Sequence, residues 1–243
     1  ASDGWFAAGD QAGGIAHSAD AAGGWAAAGI TIVIPKFPVY LFDIDGTIMD
    51  SAADICGAQR DVLKAAGYAG DLSDEVLRRF IGHHLIELFG HLGFPTEQHD
   101  AMVQHYRSIY LGRGHRATRV YPGVAEMLAG LDGRKSTATT KGTPTTRAVL
   151  DQFGLLHHFQ HVQGTDGFPA KPEPDVIHAS IEGIGARPEE CLFIGDSAAD
   201  MEAGKRAGVR TCAVRWGYGD QDAMASWEPD FWIDTPDQLL QLR

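Results

Sequence analysis

Cysteine and basic residues are scarce in this sequence of 243 residues, and each shortage excludes a class of protein. The three cysteines, Cys56, Cys191 and Cys212, show no CxxC spacing, which argues against a disulfide scaffold or a structural zinc site. Lysine and arginine together number 20 against 32 aspartate and glutamate residues, so the formal net charge is −12. Because nucleic acids and anionic membranes bind basic surfaces, this balance argues against both as partners.

The sequence also has no basic amino-terminal region and no long apolar run. The longest uncharged stretch lies between Asp20 and Lys36 and consists mostly of alanine and glycine, so it is too short for a membrane-spanning helix. No lysine or arginine precedes Lys36, and the positive region typical of a signal peptide is therefore missing. These features predict a soluble, cytoplasmic protein.

Residues 1–37 differ in composition from everything that follows. Alanine and glycine dominate up to residue 29, and the apolar run ITIVI occupies 30–34. This composition predicts a weakly structured extension. The alternative is a segment that packs on the body of the protein or on a partner, with Trp5 and Trp25 as anchors.

From Val39 onward, short apolar runs alternate with helical segments. The predicted strands are 39–45, 135–140, 161–163, 191–196, 211–216 and 231–234. Between the first two strands, residues 53–119 have a helical composition interrupted by glycine-rich breaks. The pattern predicts an α/β protein, namely a Rossmann-like parallel sheet with helices on both faces and a small all-helical cap inserted after the first strand. The core then comprises 38–52 and 120–243, and the cap 53–119.

Paired carboxylates follow two of the predicted strands. Asp43 and Asp45 end the first strand, and Asp196 and Asp200 stand where a later strand turns into a helix. Ligands bind at the carboxyl ends of parallel strands, so the four acids are expected at one crevice. Capping of turns and helix ends explains one or two of them, but four carboxylates together call for a compensating cation. Oxygen ligands without cysteine or histidine favour Mg²⁺ over Zn²⁺.

Two further residues favour a phosphate ligand. Thr139 lies at the carboxyl end of a predicted polar strand, where its hydroxyl is placed to donate to a phosphate oxygen, with Thr137 and Thr140 as alternatives in register. Lys171 lies in the proline-flanked segment KPEPD (171–175) before a helix, although a single lysine is more commonly a solvated surface residue. The prolines restrict the backbone and favour a fixed position for this ammonium group.

Four ordered motifs resemble those of the haloacid dehalogenase superfamily of phosphotransferases. They are DIDGTIMDS (43–51), ATTK (138–141), KPEPD (171–175) and GDSAADMEAG (195–204). The resemblance covers residues 39 to about 234, and the helical insert is similar to the cap of the phosphoglycolate-phosphatase-like branch. It implies a Mg²⁺-dependent phosphatase, a monomer or homodimer, that acts on a small phosphorylated metabolite of the phosphoglycolate or sugar-phosphate type.

The resemblance also implies a role for each motif residue. Asp43 is the nucleophile that forms an aspartyl-phosphate, and Asp45 protonates the leaving oxygen and then activates water. Mg²⁺ is bound by Asp43, the backbone carbonyl of Asp45 and Asp196, with Asp200 assisting. The phosphoryl oxygens are held by Thr139, Lys171 and the amides near Gly46 and Thr47.

Substrate reading is assigned to the cap, whose sequence leaves more alternatives open. Gly82 precedes His83 and His84 in a predicted loop, and Arg113 and Arg116 lie near the return to the core; all four cationic side chains are candidates for substrate contacts, although paired histidines also begin helices as solvated residues. A phosphomutase is a weaker alternative, because Ile55 stands where such enzymes usually have histidine. A member that only binds a phosphorylated ligand is a third, which the retained Asp45 argues against.

Overall fold

The structure is a computed structural model that describes residues 34–241. The expectations for the amino-terminal extension, including Trp5 and Trp25, lie outside the described residues. Within them, no helix combines the length and the apolar character that crossing a membrane requires.

A five-stranded parallel sheet forms the centre of the structure, in the order β4-β1-β5-β6-β7. The strands are β1 (Val39–Phe42), β2 (Met49–Asp50), β3 (Arg119–Val120), β4 (Arg134–Thr137), β5 (Cys191–Gly195), β6 (Arg210–Val214) and β7 (Phe231–Ile233). β2 and β3 form a separate antiparallel pair. Since β1 lies between β4 and β5, the carboxyl ends of these three strands meet at one edge, and this edge carries the sequence motifs.

Helices connect the strands and account for the α part of the fold. They are α1 (Ala52–Ala65), α2 (Asp74–Arg78), α3 (Leu85–His91), α4 (Thr96–Gly112), α5 (Val124–Gly130), α6 (Thr143–Gln152), α7 (Asp175–Ile184), α8 (Ala198–Ala207) and α9 (Gln221–Ala225). Short 3-10 helices occupy Leu156–His158, Pro188–Glu190 and Pro236–Leu240.

Both faces of the sheet are buried under helices, as parallel sheets require. Along β1, Tyr40 and Phe42 pack in one apolar cluster together with residues of α5 and α6. The alternate residues, Val39 and Leu41, pack in a second cluster with residues of α7 and α8. Successive side chains of a strand point to opposite faces, so this four-residue apolar strand contributes to both layers. The α/β fold predicted from the sequence is confirmed.

The four helices between β2 and β3 have an apolar cluster of their own. Leu63 of α1, Leu77 of α2, Phe89 of α3 and Met102 of α4 are buried in it. The breaks between these helices fall at the glycine-rich segments seen in the sequence. Because β2 pairs with β3, the two chain crossings between this helical segment and the sheet lie side by side.

The polar strand β4 departs from the sequence prediction in its length and in its neighbour. The predicted strand at 161–163 does not form, because the Thr137 hydroxyl replaces the backbone ladder: it donates to the Gln163 carbonyl and accepts from the Gln163 amide, both at 2.8 Å. Ser136 contacts the Ser180 hydroxyl at 2.7 Å. Lys135 donates to the Leu131 carbonyl at 2.6 Å. The polar side chains of β4 are therefore satisfied internally, which explains how a buried strand tolerates them.

Candidate active site

Three carboxylates from two strand ends meet at the edge of the sheet. β1 and β5 pair in register, with Phe42 beside Ile194, so the residues that follow them place Asp43 and Asp196 next to each other. Asp200 joins them from the first turn of α8. One oxygen atom of each acid lies within 4.8 Å of the others, and each residue is at most 3% exposed.

Lys171 lies inside this acidic cluster rather than on the surface. Its Nζ atom is 2.7 Å from Asp43 Oδ1 and 2.5 Å from Asp200 Oδ1, and it donates to the Ala138 carbonyl at 3.2 Å. Burial opposes the charge of the ammonium group, but Asp200 and Asp43 outweigh it and raise the pKa of Lys171. The side chain is thus a charged cation in direct contact with Asp43, the residue at the nucleophile position of the resembled family.

The acids exceed the positive charge available to them. Burial raises the pKa of Asp43 to about 6, although Lys171 opposes that rise. Burial, and then the neighbouring Asp200 and Asp43, raise the pKa of Asp196 well above its ordinary value. Three buried carboxylates sharing one ammonium group form the hard oxygen set that divalent cations such as Mg²⁺ prefer. The donor chemistry therefore fits a divalent metal.

The remaining bonds of Asp196 and Asp200 hold both side chains in place. The Thr47 hydroxyl donates to Asp196 Oδ1 at 3.0 Å, and the Tyr218 amide donates to Asp196 Oδ2 at 2.8 Å. Asp200 Oδ2 accepts from the Ser197 amide at 2.9 Å and so forms part of the capping box of α8. For Asp200, the helix-cap interpretation and the site interpretation hold together.

The turn after β1 uses the amides of Gly46 and Thr47, which the family resemblance assigns to phosphate binding, in its own hydrogen bonds. The Gly46 amide donates to the Met49 carbonyl at 2.8 Å, and the Thr47 amide donates to the Ile44 carbonyl at 3.3 Å. Both N–H groups are consumed by the turn itself. Gly46 has a φ of +91°, and a Cβ atom there would collide with the Asp196 carboxylate, so its role is to bring the turn close to the acids.

Asp45 is not one of the three clustered acids, and it lines a cavity beside them. Its Oδ1 atom accepts from the Ser51 hydroxyl at 2.5 Å, and its Oδ2 atom lies 3.0 Å from Lys141 Nζ. The residue lines the cavity together with Asp43. A nucleophile candidate and a proton-transfer candidate thus face the same space.

Of the three threonines considered from the sequence, Thr139 lines this cavity and has no side-chain hydrogen bond to the helical segment or to Gln163. It is 1% exposed and follows Ala138, whose carbonyl binds Lys171. Thr137 is bound to Gln163, and the Thr140 hydroxyl donates to the Gly82 carbonyl at 2.9 Å.

The cavity measures about 340 Å³ and lies between the strand ends and the helical segment. Polar side chains of the helical segment form its far wall. They are Gln59, His83, His84, Tyr106, Arg107 and Tyr110. Gln59 is 1% exposed, and its Oε1 atom has no hydrogen-bond partner among the described residues. A buried polar atom of this kind is costly unless a ligand or water binds it, which marks this wall as a place for the rest of a substrate.

The two histidines proposed for substrate reading both line the cavity and differ in environment. His83 Nδ1 is 2.9 Å from Glu87 Oε2, and this hydrogen bond raises the pKa of His83. His84 caps α3 by accepting from the Ile86 amide at 3.2 Å, and burial lowers the pKa of His84. His83 is therefore the more readily charged of the two.

Arg113, which was predicted to contact the substrate, is not among the residues that line the cavity. Its guanidinium lies 3.0 Å from Asp61 and 3.6 Å from the buried Asp54, both on α1. These pairs join α4 to α1, so the structure places Arg113 in the packing of the helical segment.

The sequence gives no role to five polar residues of the cavity wall. Lys141 lies within the ATTK motif, and Gln59, Tyr106, Arg107 and Tyr110 belong to segments predicted only to be helical. The signal that was present is periodicity. Val103, Tyr106, Arg107 and Tyr110 follow the spacing i, i+3, i+4, i+7 of one helix face, and a polar residue on such a face, opposite a motif-bearing sheet edge, indicates a site.

The sequence and the fold of this chain are similar to those of known proteins. The sequence profile of the haloacid dehalogenase-like hydrolases matches residues 40–214. A phosphoglycolate phosphatase from Aquifex aeolicus is 32% identical over 208 residues, which cover 84% of this chain and 95% of the relative. The tyrosine-protein kinase PtkA of Mycobacterium tuberculosis is 32% identical over 190 residues, 75% of this chain and 63% of the relative. The solved structure of a haloacid dehalogenase-like family hydrolase from Streptococcus pneumoniae is similar with a TM-score of 0.77 at 27% identity, covering 84% of this chain and 97% of the other.

Proposed function

The chain belongs to the haloacid dehalogenase-like hydrolase family, and on that premise we propose that it is a Mg²⁺-dependent phosphatase of a small phosphorylated metabolite. The observation that supports this most directly is Asp43, a buried carboxylate paired with Lys171 at the floor of a cavity that Asp45 also lines. Phosphoryl transfer requires positioning and charge neutralisation more than covalent assistance, and the described residues supply both.

In the proposed reaction, an Asp43 oxygen attacks the phosphorus atom and forms an aspartyl-phosphate while the bond to the leaving oxygen breaks. Asp45 gives its proton to that oxygen and then takes a proton from the water that hydrolyses the phospho-enzyme. Lys171 and Thr139 hold phosphoryl oxygens. The ammonium group of Lys171 is suited to this task, since it is charged and already directed at Asp43.

The acidic cluster is the proposed metal site. Asp43, Asp196 and Asp200 would hold Mg²⁺ together with the backbone carbonyl of Asp45. When bound, the ion supplies positive charge that stabilises the phosphoryl group during its transfer.

Residues 53–119 are proposed to act as a cap over the site, and 38–52 with 120–243 as the core. The cavity between them is bounded by both segments. A cap of this kind excludes water and adds contacts to the leaving group.

The proposed substrate class is phosphoglycolate or a small sugar phosphate. The cavity of about 340 Å³ accommodates a leaving group of this size, and the cationic side chains Arg107, Lys141 and His83 line it. Positive charge on the wall favours a leaving group that carries a carboxylate or several hydroxyl groups. The similarity to a phosphoglycolate phosphatase points the same way.

Phosphate release from a panel of phosphorylated metabolites, including 2-phosphoglycolate, tests the proposal. We expect Mg²⁺-dependent release that a chelator abolishes, and a phospho-enzyme that is trapped by acid quenching. Asp43→Asn removes the attacking oxygen and should abolish both release and trapping. The Lys64→Met variant, which alters an exposed lysine of α1, serves as the control. Turnover by Asp43→Asn near that of the control would contradict the nucleophile assignment.

Similarity to a tyrosine-protein kinase favours a second candidate function, phosphoryl transfer to protein tyrosine. Incubation with ATP and a tyrosine-containing protein, followed by phosphotyrosine detection, separates the two. Formation of phosphotyrosine, without release of phosphate from any of the metabolites, would support the kinase function. A phosphomutase would keep the phosphate on the organic molecule, and a binding protein would do neither.

A further inference from the structure

Lys141 is a cation with 8% of its side chain exposed, and it contacts both the sheet edge and the helical segment. Its Nζ atom lies 3.0 Å from Asp45 Oδ2 and donates to the Tyr110 hydroxyl at 2.9 Å. It also lies 4.3 Å from the centre of the Tyr110 ring, a distance at which an aromatic face attracts a cation. One ammonium group thus links a carboxylate of the site to α4.

Asp45 has both of its oxygen atoms held by residues that connect to the helical segment. Oδ1 accepts from Ser51, the residue directly before α1, and Oδ2 pairs with Lys141. A carboxyl group that must face the leaving oxygen loses efficiency when its orientation is off by about 1 Å, an error that costs roughly 10²-fold in rate. Because both oxygen atoms of Asp45 are held, its carboxyl group keeps the orientation that the proposed proton transfer requires.

The residue before Lys141 makes a separate contact with the helical segment. The Thr140 hydroxyl donates to the Gly82 carbonyl at 2.9 Å, beside the His83 loop. Neighbouring core residues therefore hold two different parts of the helical segment, and one of the two also holds Asp45. This arrangement provides an internal comparison between a contact that only joins the segments and a contact that joins them through Asp45.

We propose that Lys141 is a positioning residue that orients Asp45 towards the leaving oxygen when α4 lies over the site. The inference rests on the proposed phosphatase function. In the step concerned, the Asp45 proton moves to the ester oxygen as the P–O bond breaks and the bond between Asp43 and phosphorus forms. Without Lys141, Asp45 keeps only its bond to Ser51 and rotates away from the ester.

Two aryl esters of nearly equal size and without a carboxylate test this role. Phenolate is a poor leaving group that needs the Asp45 proton, whereas p-nitrophenolate departs readily without one. The ratio kcat/KM reports the steps up to formation of the phospho-enzyme, so the later hydrolysis does not enter. For Lys141→Met we expect kcat/KM to fall about 10- to 100-fold for phenyl phosphate and much less for p-nitrophenyl phosphate.

Three further variants separate positioning from structure. Tyr110→Phe keeps the ring but loses the hydroxyl. It should lower kcat/KM for phenyl phosphate relative to p-nitrophenyl phosphate, as Lys141→Met does, but by a smaller factor. Lys141→Arg should restore part of the phenyl phosphate activity. Thr140→Val removes the other contact to the helical segment and should lower kcat/KM for both esters by the same factor. Thermal unfolding checks that each variant folds.

The outcomes are distinct. A selective loss with phenyl phosphate in Lys141→Met, absent in Thr140→Val, supports the proposal. If Lys141→Met lowered kcat/KM equally for both esters, or for neither, the proposal would be overturned. Lys141 would then contribute only to packing. Failure of the underlying phosphatase function is read from the wild-type protein, which would then release phosphate from neither ester.

Discussion

At the scale of single residues, Lys171 links the chemistry of the site to the stability of the fold. It is 1% exposed and contacts two buried carboxylates, Asp43 and Asp200. Desolvating three charged groups is unfavourable, and their mutual attraction offsets that cost only while all partners are present. The same ammonium group that is proposed to hold a phosphoryl oxygen is therefore required to neutralise the acids.

Replacing Lys171 should destabilise the metal-free protein strongly. Lys171→Met leaves Asp43 and Asp200 buried without their cation, a change that typically costs about 3–5 kcal/mol, measured as the free energy of unfolding in urea. Lys205→Met is the matched control, because Lys205 pairs with Asp230 at 3.5 Å while 35% of its side chain is exposed. Such a pair contributes at most about 1 kcal/mol. A loss in Lys171→Met no larger than in the control would contradict the view that Lys171 neutralises the cluster.

At the scale of elements, the loop before α3 is placed by two contacts. The Thr140 hydroxyl binds the Gly82 carbonyl, and His84 caps α3. His83 is left facing the cavity, with Glu87 supporting its charged form. The loop is thus built so that its first histidine is presented to a ligand and its second is used by the helix.

His83→Ala should raise KM for 2-phosphoglycolate several-fold and change p-nitrophenyl phosphate turnover much less, because an aryl ester offers no carboxylate to the loop. The effect should diminish as the pH rises through the elevated pKa of His83, since the neutral imidazole attracts an anion less. His91→Ala is the control, because His91 is the last residue of α3 and is not among the residues that line the cavity. Equal changes for both esters would remove His83 from the substrate site.

At the scale of the whole molecule, a formal net charge of −12 is combined with a buried acidic cluster. The ordinary pKa of Asp43 is 3.8, and burial raises it to about 6 in the folded protein. The protonated carboxyl contributes its stabilisation fully below the ordinary value, and this contribution is lost as the pH rises through about 6. Without a metal ion, ionisation of the cluster therefore weakens the fold near neutral pH.

Mg²⁺ should restore this stability in a pH-dependent manner. Binding requires the ionised carboxylates, so the increase in Tm on adding MgCl₂ should be larger at about pH 8 than at about pH 5. NaCl at the same ionic strength controls for screening of the net charge. Asp196→Asn, which removes one carboxylate from the cluster, should reduce the increase at the higher pH. A Tm shift that is equal at both pH values, or equal with NaCl, would contradict a specific site.

Much of the fold could be predicted from the sequence because its signals are local. Neighbouring residues alone indicate three of its features: the apolar run of β1, the glycine that ends α8, and the glycine-rich breaks between α1 and α4. Motifs directly after strands of a parallel sheet meet at one edge, so the convergence of Asp43 and Asp196 followed once a parallel sheet was predicted. Lys171 precedes a helix, and its place at the site was implied by the family resemblance alone. The ordered motifs then indicated the family.

Only the tertiary structure decided the features that depend on how the helical segment meets the sheet edge. The pairing of Lys141 with Asp45 and Tyr110 joins residues far apart in the chain. The position of Gln59, whose Oε1 atom has no hydrogen-bond partner within residues 34–241, likewise depends on tertiary packing. The exclusion of Arg113 from the cavity depends on the packing of α4 against α1. Local patterns specify which face of an element is apolar, but the partners of a polar side chain are set by the relative position of whole elements. For this reason the sequence determined which acids lie at the floor of the candidate site, and the structure alone determined the wall above it.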